Sequence, residues 1–310
     1  MNLFKHARMP LIVAPMFLVS SPELVIASAH AGLVGGLPAP NARSVEMLDT
    51  WMANIHHALA PERLPWVFNM FVHSTYDRFD QELALVKRYQ PSVVSTALGS
   101  PTRVIDAVNH YGGWVFADVI TIEMAKKSVA AGVDGLILVT QGAGGHTGSL
   151  HPLAFLAEVR EFWDGPLGIA GCVSRGDDVA AMLMAGVDFV VSGTRFIAAT
   201  ESLASPEYVS MMASATSADI VESKAVSGVS ANWMTASLTA AGIDPHGIRP
   251  PGAINLSDNR ADKAWKNLWS AGQGVGVVKG PQSCADIAGD MALEFAGALK
   301  KGLTMHDQWS

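Results

Sequence analysis

The chain has 310 residues, of which 49% are hydrophobic and only 16% charged, with 29 glycines and a formal net charge of -7. That length suits one large α/β domain with an added lobe, and low charge with abundant glycine suits buried parallel strands joined by tight loops. An acidic chain without a Lys/Arg cluster argues against nucleic acid as a partner. The two cysteines, Cys172 and Cys284, make no disulfide framework and fit free thiols in a reducing compartment. Met1 to Arg8 is too short and polar for a signal peptide, and no window approaches the roughly 18 apolar residues of a membrane helix. A soluble, cytoplasmic protein without membrane association is expected.

Eight apolar runs of strand length follow one another: Leu11–Ala14, Leu33–Leu37, Trp66–Val72, Ser92–Ser95, Trp114–Asp118, Gly135–Val139, Leu167–Ala170 and Phe189–Val191. Between them lie amphipathic stretches at Pro22–Ala31, Ser44–Leu59, Tyr76–Arg88, Thr102–His110, Ile122–Ala131, Leu153–Phe162 and Asp177–Ala185. Ala-Gly-Val-Asp occurs twice at a helix-to-strand junction, at 131–134 and 185–188. Glycine there suits a left-handed helix cap, and the valine suits packing under a barrel. Eight such units argue for a closed (β/α)8 TIM barrel over an open doubly wound sheet.

The alternation stops near Thr200. Ser205 to Gly247 reads as helical stretches without strand partners, Pro245 to Ala253 as a loop, and Cys284 to Lys300 as a last amphipathic helix. The expected organisation is a barrel over 1–204, a mainly helical lobe capping the substrate side over 205–282, and a helix over 283–310 that returns to the barrel.

Barrel enzymes place their chemistry at the carboxyl ends of the strands. Ala14-Pro15-Met16 ends the first run, and Asn69 interrupts the third. Met16 is suited to packing on a ring, though a core role is common for methionine. A buried amide such as Asn69 needs partners, from a ligand or from neighbouring backbone. Gly171 and Cys172 follow the seventh run, and Ser192-Gly193-Thr194 follows the eighth. Glycines and helix-start N–H groups at two consecutive strand ends favour a phosphate site over two ordinary turns. Cys172 falls inside that turn, where its backbone N–H matters more than its sulfur.

The loop after the sixth run, Gln141-Gly142-Ala143-Gly144-Gly145-His146, sets a histidine among glycines. Its imidazole suits a general base near neutral pH. His151 precedes a proline at a helix start and takes a structural or rim role. No metal site is suggested.

These residues resemble the nitronate monooxygenase family, formerly called 2-nitropropane dioxygenases. The resemblance rests on Ala14-Pro15-Met16, Gln141-Gly142 with Gly144-Gly145-His146, Ala170-Gly171-Cys172, Ser192-Gly193-Thr194-Arg195-Phe196 and Trp269-Ser270-Ala271-Gly272-Gln273-Gly274, and it covers nearly the whole chain. It implies FMN, held without a covalent bond, with Asn69, Gln141, Gly144 and Gly145 lining the ring system and its chain. It implies Gly171, Cys172, Ser192, Gly193 and Thr194 around the phosphate, and His146 as the catalytic histidine. The implied reaction is oxidation of alkyl nitronates, with neutral nitroalkanes as a further reach, by molecular oxygen to a carbonyl compound and nitrite.

Two departures stand out: the loop from Gln141 to His146 is shorter than in better-known members, and Cys172 replaces a glycine. The alternatives are an NAD(P)H-dependent FMN reductase or hydroxylase, similar to enoyl-thioester reductases, and a flavin-free barrel lyase or isomerase. The segment Trp269 to Gly274 either returns to the barrel mouth with Gln273 near the flavin or is a plain linker. Oligomeric state stays open, a homo-oligomer included.

Overall fold

A computed structural model of the chain describes residues 2–226, 228–247 and 268–309. Eight parallel strands close into a barrel: β1 (Leu11–Val13), β2 (Val34–Pro38), β3 (Trp66–Phe71), β4 (Val93–Ala97), β5 (Trp114–Val119), β6 (Gly135–Val139), β8 (Leu167–Ala170) and β9 (Phe189–Ser192). Closure comes from β1 pairing with β9, with Leu11 opposite Val190 and Val13 opposite Ser192. The strands are buried on both faces, so they are continuous apolar runs without polar alternation.

Helices α1 (Pro22–His30), α2 (Val45–Leu59), α3 (Phe79–Tyr89), α4 (Thr102–Asn109), α5 (Ile122–Ala131), α6 (Pro152–Arg160) and α7 (Gly176–Ala185) form the outer ring. Short α8 (Thr194–Ile197) follows β9. Ser21, Ser44 and Thr121 cap α1, α2 and α5 by accepting the N–H of the third residue on. The third helix starts at Phe79 rather than Tyr76, because residues 73–78 form turns in which Tyr76 N–H is bonded to His73 O.

The repeated Ala-Gly-Val-Asp junction has a mechanism. Gly132 and Gly186 take φ of 89° and 111° and cap α5 and α7, and Val133 and Val187 are buried behind them. Each aspartate then accepts a strand N–H: Asp134 from Val115 at 2.7 Å and Asp188 from Leu167 at 2.8 Å. One tetrapeptide thus ends a helix, fills the space beneath the barrel and fixes a neighbouring strand.

Ile12, Val34, Val67, Val93, Phe116, Ile137, Phe189 and Val191 fill the barrel. Phe116 and Phe189 stack with centroids 5.4 Å apart. Gly168 makes room for the second ring, since a Cβ there would lie 2.1 Å from it.

Past the barrel, α9 (Pro206–Ser214) and α10 (Thr235–Ala240) are helical as expected. The same region also holds two strands that the sequence reading lacks, β10 (Ile220–Ser223) and β11 (Ala231–Met234). They pair antiparallel, and β11 pairs in turn with a two-residue strand, β7 (Gly145–His146), in the loop after β6. Strands this short carry too few residues for a period to be read. The expected loop at 245–253 falls largely outside the described residues. The last helix, α11, runs from Cys284 to Trp309, beyond the expected Lys300. Among the described residues no helix is long and apolar enough to cross a membrane.

Helix α11 closes on α7 at Gly176, whose N–H is bonded to Glu294 Oε2 at 2.7 Å. A Cβ on Gly176 would lie 1.8 Å from Met291 O and 2.4 Å from Phe295 N. Backbone cannot yield as a side chain does, so Gly176→Ala is expected to destabilise the protein by about 1–3 kcal/mol or more. Gly289, also in α11, has nothing within 4 Å of such a Cβ. Gly289→Ala is expected to stabilise by about 0.4–1 kcal/mol. Urea midpoints of the two variants check the contrast.

Candidate active site

The candidate site lies at the carboxyl ends of the barrel strands. On one side, the ends of β1 and β9 meet. Ala14 N–H is bonded to Ser192 O at 2.9 Å, and a Cβ on Gly193 would touch Ala14 Cβ at 3.3 Å and Met16 Sδ at 3.4 Å. Pro15 lies against Gly36 of β2. Asn41 clamps the chain after Met16: its amide donates to Met16 O and Ser20 O and accepts from Leu18 N–H. Ser192 Oγ donates to Val173 O at 2.7 Å, which ties the β9 end to the turn after β8.

In that turn Gly171 has φ 128° and Cys172 has φ 58°, so a side chain stands where the backbone favours glycine. The sulfur turns toward the loop after β6. A Cβ on Gly142 would lie 2.0 Å from it, and Cys172 Sγ is 3.8 Å from Gln273 Oε1. Burial, and secondarily the charge of Asp178, raise the thiol pKa above its usual 9.0. Cys172 is therefore a neutral thiol that packs against the loop, not a nucleophile.

The loop after β6 is built by backbone contact. Thr147 Oγ1 donates to Thr140 O at 2.7 Å, and Gln141 N–H to Leu150 O at 3.1 Å, closing the loop at its base. The segment 268–274 lies along its top. Gln273 N–H is bonded to Gly142 O at 3.1 Å and Gly272 N–H to Thr194 Oγ1 at 2.8 Å. A Cβ on Gly144 would lie 2.7 Å from Gly272 N, and one on Gly272 would lie 2.6 Å from Gly142 O. The return segment thus sits at the barrel mouth and brings Gln273 beside Cys172 and Gly142. Tyr208 supports it from α9: its hydroxyl donates to Ser270 O and its ring stacks on Trp269 with centroids 5.3 Å apart.

His146 sits in β7, opposite Ala231 of β11. Its imidazole is solvent-accessible yet recessed in the mouth, and the surrounding protein disfavours the cation and lowers its pKa from 6.5. His151, by contrast, caps α6 by accepting Leu153 N–H at 3.3 Å. Asn232, buried in β11, donates from Nδ2 to both Gln141 O and Ala143 O at 2.7 Å.

Asn69 belongs to a separate polar cluster inside the barrel top. Its Nδ2 donates to Ser95 Oγ on β4 at 2.8 Å and to Asp118 Oδ2 on β5 at 3.1 Å. Burial pushes Asp118 up to about 7 from 3.8, against the lowering effect of the Asn69 hydrogen bond. Asp118, Ser95 and Asn232 are not among the site residues expected from the sequence. Asp118 had a signal, as a lone acid two residues after a core phenylalanine; Asn232 had none. Among the described residues no group of three His, Cys, Asp or Glu side chains could hold a metal ion.

A sequence family model described as nitronate monooxygenase matches residues 47–294. The chain belongs to the nitronate monooxygenase family. Within it, the chain is 28% identical over 283 residues to a nitronate monooxygenase of Paraburkholderia phytofirmans, covering 78% of this chain and 77% of that protein. A nitronate monooxygenase of Neurospora crassa is 26% identical, over 96% of this chain and 92% of that one. Among solved structures, the nitroalkane oxidase of Streptomyces ansochromogenes shares the fold, with a TM-score of 0.83, 24% identity and coverage of 97% of this chain and 99% of that chain.

In this nitronate monooxygenase family member the loop geometry hangs on Asn232. Asn232→Ala removes two buried hydrogen bonds and leaves two carbonyls unpaired, at a cost of about 1–3 kcal/mol each. Asn232→Asp sets a carboxylate against the same two carbonyls and is expected to be worse. Thermal unfolding, together with protease cleavage within residues 141–146, checks the order wild type, then Ala, then Asp.

Proposed function

We propose that this chain is an FMN-dependent oxidoreductase that oxidises alkyl nitronates, and neutral nitroalkanes where it accepts them, with molecular oxygen to a carbonyl compound and nitrite. The observation that carries the reading is His146, held at the barrel mouth by the β7–β11 bridge with a lowered pKa. Family membership supports the reaction class.

The donor set supports FMN. The first-turn N–H groups of α8, at Gly193 and Thr194, have no acceptor within the helix and suit a phosphate. Gly171, Cys172 and Ser192 complete that end, and Asn69, Gln141, Gly144, Gly145 and Gln273 supply polar and backbone groups for the ring system. One phosphate end suits FMN, and among the described residues no second lobe stands beside it for an adenosine. When bound, FMN supplies the electron acceptor that relays to oxygen. Ala14, Pro15 and Met16 form an apolar edge that keeps water from the ring.

His146 takes the proton from the carbon that bears the nitro group. A neutral imidazole is the competent form, and burial, by lowering the pKa, extends that form to more acidic pH than an ordinary imidazole allows. A nitronate arrives already deprotonated and does not need this step.

His146→Asn is expected to cut turnover of neutral nitroalkanes by about 10²–10⁴, to slow nitronates much less, and to leave FMN content unchanged. The acid limb of kcat/KM on the neutral substrate should fall below pH 6.5, since the group that must be deprotonated has its pKa lowered from that value. Steady-state assays on both substrates against pH check this; equal losses on both would replace the base by a binding role. The protein should also be yellow and release FMN, identified by mass, on heating.

A further inference from the structure

The polar cluster under the barrel mouth contains an acid that the proposed proton abstraction does not use. Asn69, Ser95 and Asp118 stand on adjacent strands β3, β4 and β5, each two residues beyond an inward-facing core residue: Val67, Val93 and Phe116. They therefore face inward, one layer above the apolar filling and at the carboxyl end of the barrel. Asn69 spends both amide hydrogens on Ser95 and Asp118. Among the described residues, Asn69 Oδ1 and Asp118 Oδ1 have no hydrogen-bond partner. They lie in the layer next to the barrel mouth, where a bound ligand could supply the missing partners.

No cation balances Asp118. Asn69 and Ser95 face it from β3 and β4, and Ile137 and Val139 face it from β6; among the described residues no lysine, arginine, histidine or second carboxylate acts on it. A carboxylate in such a place is held more easily as the neutral acid, and a neutral acid is a hydrogen-bond donor. The cluster thus offers the mouth an acceptor, Asn69 Oδ1, beside a donor, the Asp118 hydroxyl. A flavin pyrimidine edge presents the complement, an N–H beside carbonyl oxygens. We propose that Asp118 is a flavin-binding residue that works as the neutral acid, donating its proton to a carbonyl of the FMN pyrimidine edge while Asn69 Oδ1 accepts the ring N–H.

This rests on the FMN reading and makes flavin affinity pH-dependent with a definite sign. Asp118 titrates near pH 7 in the chain alone, and the hydrogen bond to FMN raises that further. FMN therefore binds with uptake of a proton, and its affinity falls as pH rises above 7. Other groups at the mouth are quiet in this range. His146 is already neutral, Cys172 stays a thiol, and the FMN phosphate is a dianion above roughly pH 7. Glu82, also raised to about 7, lies under Tyr76 and Arg78 in the β3–α3 region and is the same in wild type and variant.

The test uses the full chain loaded with FMN, diluted in steps from pH 6 to pH 9, with released FMN read by its fluorescence. Wild type should lose affinity about tenfold for each pH unit above the Asp118 titration. Asp118→Asn keeps a donor that cannot ionise, so its dissociation constant should stay level from pH 7 to pH 9. A pH indicator in weak buffer gives a reading that needs no variant: at pH 8 wild type should give up close to one proton per FMN released. Parallel profiles for the two proteins, or FMN release without a proton, would overturn the role of Asp118. A chain that holds no FMN at any pH would overturn the flavin reading itself.

Discussion

The site depends on a contact in which two stretches of main chain meet with no side chain between them. The loop 142–145 after β6 and the segment 271–274 after the lobe lie close enough that a Cβ on Gly144 or Gly272 would fall 2.6–2.7 Å from the other strand of backbone. Everything proposed for the mouth hangs from that contact. It presses Gln273 onto Gly142, brings Gly272 to Thr194 at the start of α8, and leaves His146 on the outer edge of the loop. Glycine is required because any side chain would push apart two backbones whose hydrogen bonds define the rim.

The lobe is the second half of that device. Its strands β10 and β11 extend through β7 to the histidine itself, and Asn232 fixes the carbonyls on either side of Gly142. The position of His146 is thus a property of residues more than 80 positions apart in sequence. A short loop is tolerable on this account, because sheet pairing with the lobe, not loop length, sets where the imidazole stands.

How much of this could be read from the sequence follows from the physics of each part. The eight barrel strands were legible because burial on both faces leaves continuous apolar runs, and the Ala-Gly-Val-Asp junctions announced the helix ends. The glycines and His146 were legible as a loop at a strand end. Strands β7, β10 and β11 were not, because two to four residues carry no period and their partners lie far away in the chain. Asp118 was visible as a strand terminus, but its lack of a cation is a fact of three-dimensional neighbours. The backbone strain at Cys172, φ 58°, follows from a side chain on a turn shaped for glycine, and only the structure adds that its sulfur packs on Gly142 and Gln273.

The central claim is that this barrel passes electrons from a nitro-stabilised carbanion to oxygen. Its most direct test is oxygen consumption by the purified, FMN-loaded chain given an alkyl nitronate, with nitrite counted alongside and NADH or NADPH supplied in parallel samples. The account predicts oxygen uptake and nitrite release from the nitronate alone, unchanged by the nicotinamides. Steady oxidation of NADH or NADPH, with no nitrite from any nitronate, would contradict it and make the chain a flavin reductase.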